Sequence, residues 1–337
     1  MRSLTAMKLA VLGAGSWGTA IADLTSHNAS EVTLWARRPD LAKDIAATRR
    51  NADYLPNVEL GSNVTPTSSL TEALGGADVV IAAMPSHGFR EVLGQAADQV
   101  PSAAPVVSLA KGIEQETLLR MTEVTADVLG TDTAVGVLTG PNLAAEVAAG
   151  LPTAAVLAMP DEDQGRELQP LFAGPAFRVY TNPDVVGCEA AGALKNVMAI
   201  AAGIAHGLDY GENTLAALLT RALAEITRLG IAMGGERATF AGLAGMGDLI
   251  ATCMSTKSRN HRVGTELGKG RKLSDVIAEM NMVAEGVRTT DAVLSLAQRH
   301  RVEMPIATEV GAVLNDGKDP RELVPELMGR QAKSEVE

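Results

Sequence analysis

The stretch KLAVLGAGSWGTAIA, Lys8–Ala22, decides the fold. An apolar run leads into GAGSWG, Gly13–Gly18, and a run of helical character follows it. A glycine pattern of this kind carries weight only where it leaves a strand and opens a helix inside a βαβ unit, and this one does. Gly13 suits the tight turn, Gly15 the close approach of backbone to a pyrophosphate, and Gly18 the packing of helix on sheet. The helix start adds free N–H groups and partial positive charge, which together favour an anion. These residues are read as a dinucleotide cradle.

Working outward, further strands are expected at 31–36, 78–84, 105–110, 134–139 and 153–159, beside 8–13. Several are continuously apolar, as in strands covered on both faces. Their alternation with helical segments predicts a parallel, doubly wound, Rossmann-like sheet. Near residue 180 the character changes. TNPDVVGCEAAGALKNVMAIAAGIAHG reads as one long helix, with Asn182 as N-cap, Pro183 in the first turn and Asp184 at the positive end. Beyond it the pattern is helical, with no convincing strand. Two domains follow: an α/β unit over 1–183 and an all-α unit over 184–337.

Composition narrows the function classes. The chain has 337 residues and a net charge of −11, which argues for solubility and against a general nucleic-acid binder. Its two cysteines, Cys188 and Cys253, have no metal-ligand spacing, so no metal site is expected and a reducing cytoplasm fits. No apolar run is read as a membrane span. Nor is a signal peptide read at the start: residues 1–6 are taken as a loose extension before the first strand, and the polar stretch from Gly329 as frayed. The Ala-rich helical unit is expected to bury a homodimer interface.

The second strand ends in LWARRPD, where an NAD-selective site places an acidic residue for the ribose hydroxyls. Arg37 and Arg38 stand there instead, with Asp40 nearby. Guanidinium groups suit the extra phosphate of NADP, so NADP(H), or use of both cofactors, is favoured. In open α/β sheets ligands bind outside the carboxyl ends of the strands. Three runs fall there. MPSH, Met84–His87, would border the cofactor, with His87 either a reactive group or a surface histidine. SLAKGIE places Lys111 directly after a strand. LTGPNLAAEV turns at Gly140-Pro141-Asn142 into a helix start. Each also has a plain reading, as solvated lysine or as helix cap.

Lys195 is the only Lys, Arg, Asp or Glu between Ala190 and Leu208, with Asn196 beside it. A helix apolar nearly all round is a buried one, and a buried ammonium needs a partner or loses its proton more easily. That makes Lys195 a candidate acid–base group, against the alternative of a lysine that reaches the surface. Asp248, after the glycine-rich turn of AGLAGMGD, is the candidate partner, or simply a helix cap. STKSRNHR, Ser255–Arg262, gathers Lys257, Arg259, His261 and Arg262 with Ser and Asn donors in an acidic chain, a mix that suits a phosphate monoester.

Taken together, VLGAGSWGTAIA, SLAKGIE, LTGPN, GALKNVMAIAAGI, AGMGDLIATC, STKSRNHRVG and VAEGVRTT resemble the bacterial-type NAD(P)-dependent glycerol-3-phosphate dehydrogenases over roughly 7–330. The resemblance implies interconversion of dihydroxyacetone phosphate and sn-glycerol 3-phosphate, feeding phospholipid synthesis. It implies that Lys195 is the catalytic lysine, with Lys111 and Asp248 in the substrate site and Gly140, Asn142 and Asn196 around them. Ser258, Arg259 and Asn260 match the phosphate-binding run, Arg259 also lying near the cofactor. Ser16, Trp17, Arg37, Lys111, Ala144, Val283 and Glu285 match cofactor contacts. One departure stands out. Asn142 follows Gly-Pro where the family usually has Ser or Thr, and Leu143 follows where it has an aromatic. Two alternatives are weighed: a related β-hydroxyacid dehydrogenase, against which the basic loop argues, and a dinucleotide sensor without turnover, which would have no need of an isolated Lys195.

Overall fold

The computed structural model describes residues 6–280, 284–332 and 334. The expected extension at the start, the tail and Val283 therefore lie wholly or partly outside the described residues. Eight strands form one sheet: β1 (Lys8–Leu12), β2 (Glu31–Trp35), β3 (Val64–Thr67), β4 (Val79–Ala82), β5 (Val106–Ser108), β6 (Val135–Thr139), β7 (Thr153–Ala158) and β8 (Phe177–Asn182). Their order is β3-β2-β1-β4-β5-β6-β7-β8. Alternate residues of β1 feed two cores. Leu9 and Val11 join Ile21 and Leu34 on one face, while Ala10 and Leu12 join Val80 and Phe89 on the other. This is the period-2 geometry of a strand covered on both sides.

The sheet corrects three expectations. It is mixed rather than parallel throughout, because β7 runs antiparallel to β6. Both edge strands, β3 and β8, are additional to those expected from the sequence. β3 carries Pro66, which cannot donate to a ladder and is tolerated at an edge. β8 alternates buried and exposed residues, so it lacks the apolar run by which the inner strands are read. Finally, Asn182 is not the N-cap of the long helix. It ends β8 and accepts from the Asp184 N–H, while Asp184 itself caps the helix through the Gly187 N–H at 2.8 Å.

That helix, Val185–Gly207, is the axis of the second half of the chain. By length and hydropathy alone it is apolar enough to cross a membrane, contrary to the expectation that no run is. Yet it is almost wholly buried by the helices around it, so it serves as a core helix. The helix Arg259–Gly268 crosses it nearly backbone to backbone. A Cβ at Gly203 would lie 2.1 Å from the His261 carbonyl oxygen, and one at Gly264 would lie 2.0 Å from that of Ile200. Only glycine fits at these crossings, and the close approach brings Ser258–Asn260 to the side of Lys195 and Asn196. Among the described residues no strand follows β8.

Candidate active site

β1, β4, β5 and β6 run parallel, so their carboxyl ends open on one crevice. Gly13 leaves β1 at φ 122°, where a Cβ would lie 2.8 Å from the Ala83 carbonyl oxygen. A Cβ on Gly18 would sit 1.9 Å from the Gly13 carbonyl oxygen. A Cβ on Gly15 meets nothing within 4 Å. The outer two glycines are thus demanded by the protein's own packing, whereas Gly15 faces open space, where a bound group would lie. Gly15 begins the helix Ser16–Ser26, which has no side-chain cap and no acidic residue in its first turn. The indole N–H of Trp17 is buried with no hydrogen-bond partner among the described residues. A capless helix start, an open glycine and an unmatched donor fit the pyrophosphate of a dinucleotide.

A loop that sequence reasoning missed closes this cradle from below. The Asn51 side-chain amide donates to the Ala14 carbonyl at 2.9 Å and to Thr19 Oγ1 at 2.8 Å. Ser16 Oγ donates to the Tyr54 carbonyl at 2.8 Å. Ala144 packs with Trp17 against Leu55 and Val58 of the same loop. Arg37 lies exposed beyond β2, whereas Arg38 is ion-paired with Asp53.

Three strand spacings of roughly 4.8 Å separate β1 from β6, about the reach an extended dinucleotide must cover. At the far end the two lysines meet one carboxylate. Lys111 Nζ donates to the Gly140 carbonyl at 2.9 Å, to Asn142 Oδ1 at 2.7 Å and to Asp248 Oδ2 at 2.8 Å. Lys195 Nζ lies 3.0 Å from Asp248 Oδ1 and donates to Thr252 Oγ1 at 2.5 Å. Thr252 in turn donates to Asp248 Oδ1 at 3.2 Å, one helical turn along from it. Lys195 is 4% exposed and Asp248 2%, so both charges are out of water and stand by pairing. Burial pushes the Lys111 ammonium down to about 8; Asp248 opposes that shift and Lys195 reinforces it.

Gly192 explains how the helix axis reaches the sheet. A Cβ there would lie 3.0 Å from Thr139 Oγ1 and 3.6 Å from Lys111 Cγ, so the missing side chain lets both strand ends come up to the helix. Asn196 binds the Lys111 carbonyl at 2.9 Å, and its oxygen accepts from Asn260 at 3.0 Å. Asn260 Oδ1 accepts the Gly286 N–H at 2.9 Å. The side chains of Asn196 and Asn260 are therefore joints between elements. Ser258 caps its helix by accepting from His261 N–H at 3.3 Å. Arg259 opens that helix and is exposed. His261 turns inward against His206, with ring centres 5.2 Å apart, and Lys257 is paired with Glu146. Of the loop's cations, Lys257 is thus paired and His261 turned inward, while Arg259 stands exposed at the helix start.

Two buried polar atoms at the far end have no hydrogen-bond partner among the described residues, Thr139 Oγ1 and Asn142 Nδ2. Since Lys111 can only donate, it fixes which end of the Asn142 amide faces it and leaves the NH₂ unmatched. His87 lies in the first turn of the helix after β4 and is exposed, and neighbouring Ser86 N–H donates to Glu285 Oε1 at 3.1 Å. Among the described residues no group of three or more His, Cys, Asp or Glu is placed to hold a metal ion.

Comparison with known proteins agrees with this arrangement. Residues 8–165 match the sequence model of the NAD-dependent glycerol-3-phosphate dehydrogenase N-terminus, and 184–325 that of its C-terminus. A glycerol-3-phosphate dehydrogenase [NAD(P)+] of Sphingopyxis alaskensis is 54% identical over 90% of this chain and 91% of its own. Another from Koribacter versatilis is 50% identical over 98% and 99%. The crystal structure of glycerol-3-phosphate dehydrogenase from Coxiella burnetii superposes with a TM-score of 0.92 at 38% identity, covering 96% of this chain and 99% of that one. The chain belongs to the NAD-dependent glycerol-3-phosphate dehydrogenase family.

Proposed function

We infer that the protein interconverts dihydroxyacetone phosphate and sn-glycerol 3-phosphate with NAD or NADP, supplying glycerol 3-phosphate for phospholipid synthesis. The observation that carries this reading is the unequal state of two lysines on one carboxylate. Among the described residues Lys111 has three acceptors for its three protons, while Lys195 has two, leaving one proton for a ligand.

When bound, the nicotinamide ring supplies a hydride to the ketone carbon and takes it back in the reverse direction. Lys195 gives its spare proton to the oxygen that becomes negative, and as a base it removes the hydroxyl proton in oxidation. Asp248 and Thr252 hold that ammonium in direction. Lys111 acts by its field and by holding Asn142 so that the unmatched Nδ2 donor points to a carbonyl or hydroxyl oxygen. At the other end of the substrate, the Arg259 guanidinium and the helix N–H groups of Arg259 and Asn260 take the phosphate. Asn142, in place of the hydroxyl residue usual in the family, keeps a donor at this point.

Loss of NADPH absorbance on adding dihydroxyacetone phosphate tests the reading. Turnover of a β-hydroxyacid instead favours the related dehydrogenase, and nucleotide binding without any turnover favours a sensor. A cytoplasmic setting is supported by the two free, buried thiols. Assembly as a homodimer is supported by Met246, Ile250 and Met254, exposed at four-residue spacing beside the site, and sedimentation of a monomer at micromolar concentration would contradict it.

A further inference from the structure

β2 and β4 flank β1 on its two sides, so the residues after them face each other across the glycine cradle. Arg37 follows β2, and His87 lies just beyond β4. A third element joins from the helical unit. The helix Glu285–His300 is fixed to the helix after β4 by Glu285 Oε1, which accepts the Ser86 N–H at 3.1 Å. Gln115 Nε2 holds the same helix start by donating to the Arg288 carbonyl at 2.8 Å. Arg288 lies three residues after Glu285, hence on the same helix face and one turn from the contact with Ser86.

The side chains of Arg37, His87 and Arg288 are exposed, and none has an acidic partner among the described residues. Their neighbours behave differently. Arg38 is paired with Asp53, and Arg90 is paired with Glu114 and Asp127. Each arginine lies close enough to His87 to act on its imidazole. Burial, then the charge of Arg288, then that of Arg37 hold the His87 imidazole below its ordinary range. In a chain of net charge −11, Arg37 and Arg288 stand without acidic partners among the described residues, the nearby Glu285 carboxylate being engaged by the Ser86 N–H, and such cations are arranged for an anion that arrives from outside.

We propose that Arg288 reads the 2′-phosphate of NADP together with Arg37, so that cofactor choice is set from both halves of the chain. This rests on the cofactor reading above. A phosphate monoester dianion accepts forked donors from two guanidinium groups approaching from opposite walls, whereas NAD offers only a hydroxyl there. Sequence reasoning places the discriminating residue after the second strand alone. Arg288 adds a second one some 250 residues later, carried in by the contact between Glu285 and Ser86.

Calorimetric titration of NADPH, NADH, 2′,5′-ADP and 5′-AMP into wild type, Arg288→Ala and Arg288→Lys tests this without any turnover. Arg288→Ala should weaken NADPH and 2′,5′-ADP about tenfold, the order expected for one lost charge-assisted bond. NADH and 5′-AMP should stay within about twofold of wild type, and Arg288→Lys should recover part of the loss. Equal weakening of NADH and NADPH would place Arg288 on the pyrophosphate or in general steering, and no weakening of either would remove it from the site. Both results overturn the proposal. A wild type that binds neither nucleotide refutes the cofactor reading itself, and this inference with it.

Discussion

Replacing Asp248 by Asn removes one negative charge at nearly constant volume and leaves two buried ammonium groups on a neutral amide. Asp248 contacts Lys111 at 2.8 Å and Lys195 at 3.0 Å. At an effective dielectric near 20, each contact is worth roughly 5 kcal/mol before desolvation is charged against it. Stripping one partner from a buried pair costs about 3–5 kcal/mol net. In units of this size, 1 kcal/mol moves the midpoint by about 2–4 °C, so a drop of roughly 10 °C is expected in a thermal melt. The loss should also depend on pH. Lys111 already sits near 8 when folded, against 10.5 for an ordinary lysine, so the unfolded chain binds more protons between those values and stability rises with pH across that window. Without Asp248 the two largest remaining influences on Lys111, burial and the charge of Lys195, both lower it further, against only the smaller opposing charge of Glu285. The variant can then shed a proton from the pair at lower pH, and its deficit against wild type should shrink between pH 6 and pH 9. Melts of both proteins across that range, with kcat/KM measured in parallel, decide the matter. A deficit that does not change with pH would make Asp248 a packing residue. A kcat/KM within tenfold of wild type would detach it from the chemistry.

The glycine cradle predicts two opposite outcomes. Gly15→Ala points into open space, so the melt should be unchanged while NADPH affinity falls at least about tenfold; Gly18→Ala collides with the Gly13 carbonyl and should lower the melt itself. Asn142→Ala deletes both the acceptor of Lys111 and the unmatched donor. It should cut kcat/KM for the ketone by about 10–100-fold with NADPH affinity intact, as titration would show. Because the folded pKa of Lys111 is about 8, its positive charge is present below that pH and lost above it. A pH profile of ketone reduction should therefore fall as pH rises through 8, and a profile flat to pH 10 would exclude Lys111 from substrate recognition.

The sequence made legible what local chemistry dictates. Glycines at three spaced positions after an apolar run imply a cradle because few other demands produce that spacing. A single charge in the otherwise apolar run from Ala190 to Leu208 implies a paired lysine because an unpaired one is too costly to bury, and Lys195 is indeed held by Asp248. What was hidden depends on neighbours distant in the chain. β3 and β8 lie at the edges, one with a proline and the other half exposed, so neither shows the apolar run of an inner strand. The reversal of β7 is a property of chain routing, with no local residue to announce it. Asn51 and Tyr54 act on the glycine loop from a segment of no regular period. Thr252 looks like any polar residue of a short helix until its i, i+4 relation to Asp248 is combined with the position of Lys195. Signals of that last kind are readable in principle, since the one-turn spacing from Asp248 to Thr252 was already in the sequence.

At the centre of the proposed chemistry, Lys195 supplies the proton while other residues hold the cofactor. Single-turnover loss of NADPH absorbance on mixing with dihydroxyacetone phosphate, compared between wild type and Lys195→Ala, tests it most directly when NADPH affinity is titrated on the same samples. The variant's rate should be lower by about 10²–10⁴-fold, the contribution of a positioned acid, at unchanged NADPH affinity. A Lys195→Ala variant that reduces the ketone at near wild-type rate, or one that loses NADPH binding together with turnover, would contradict it.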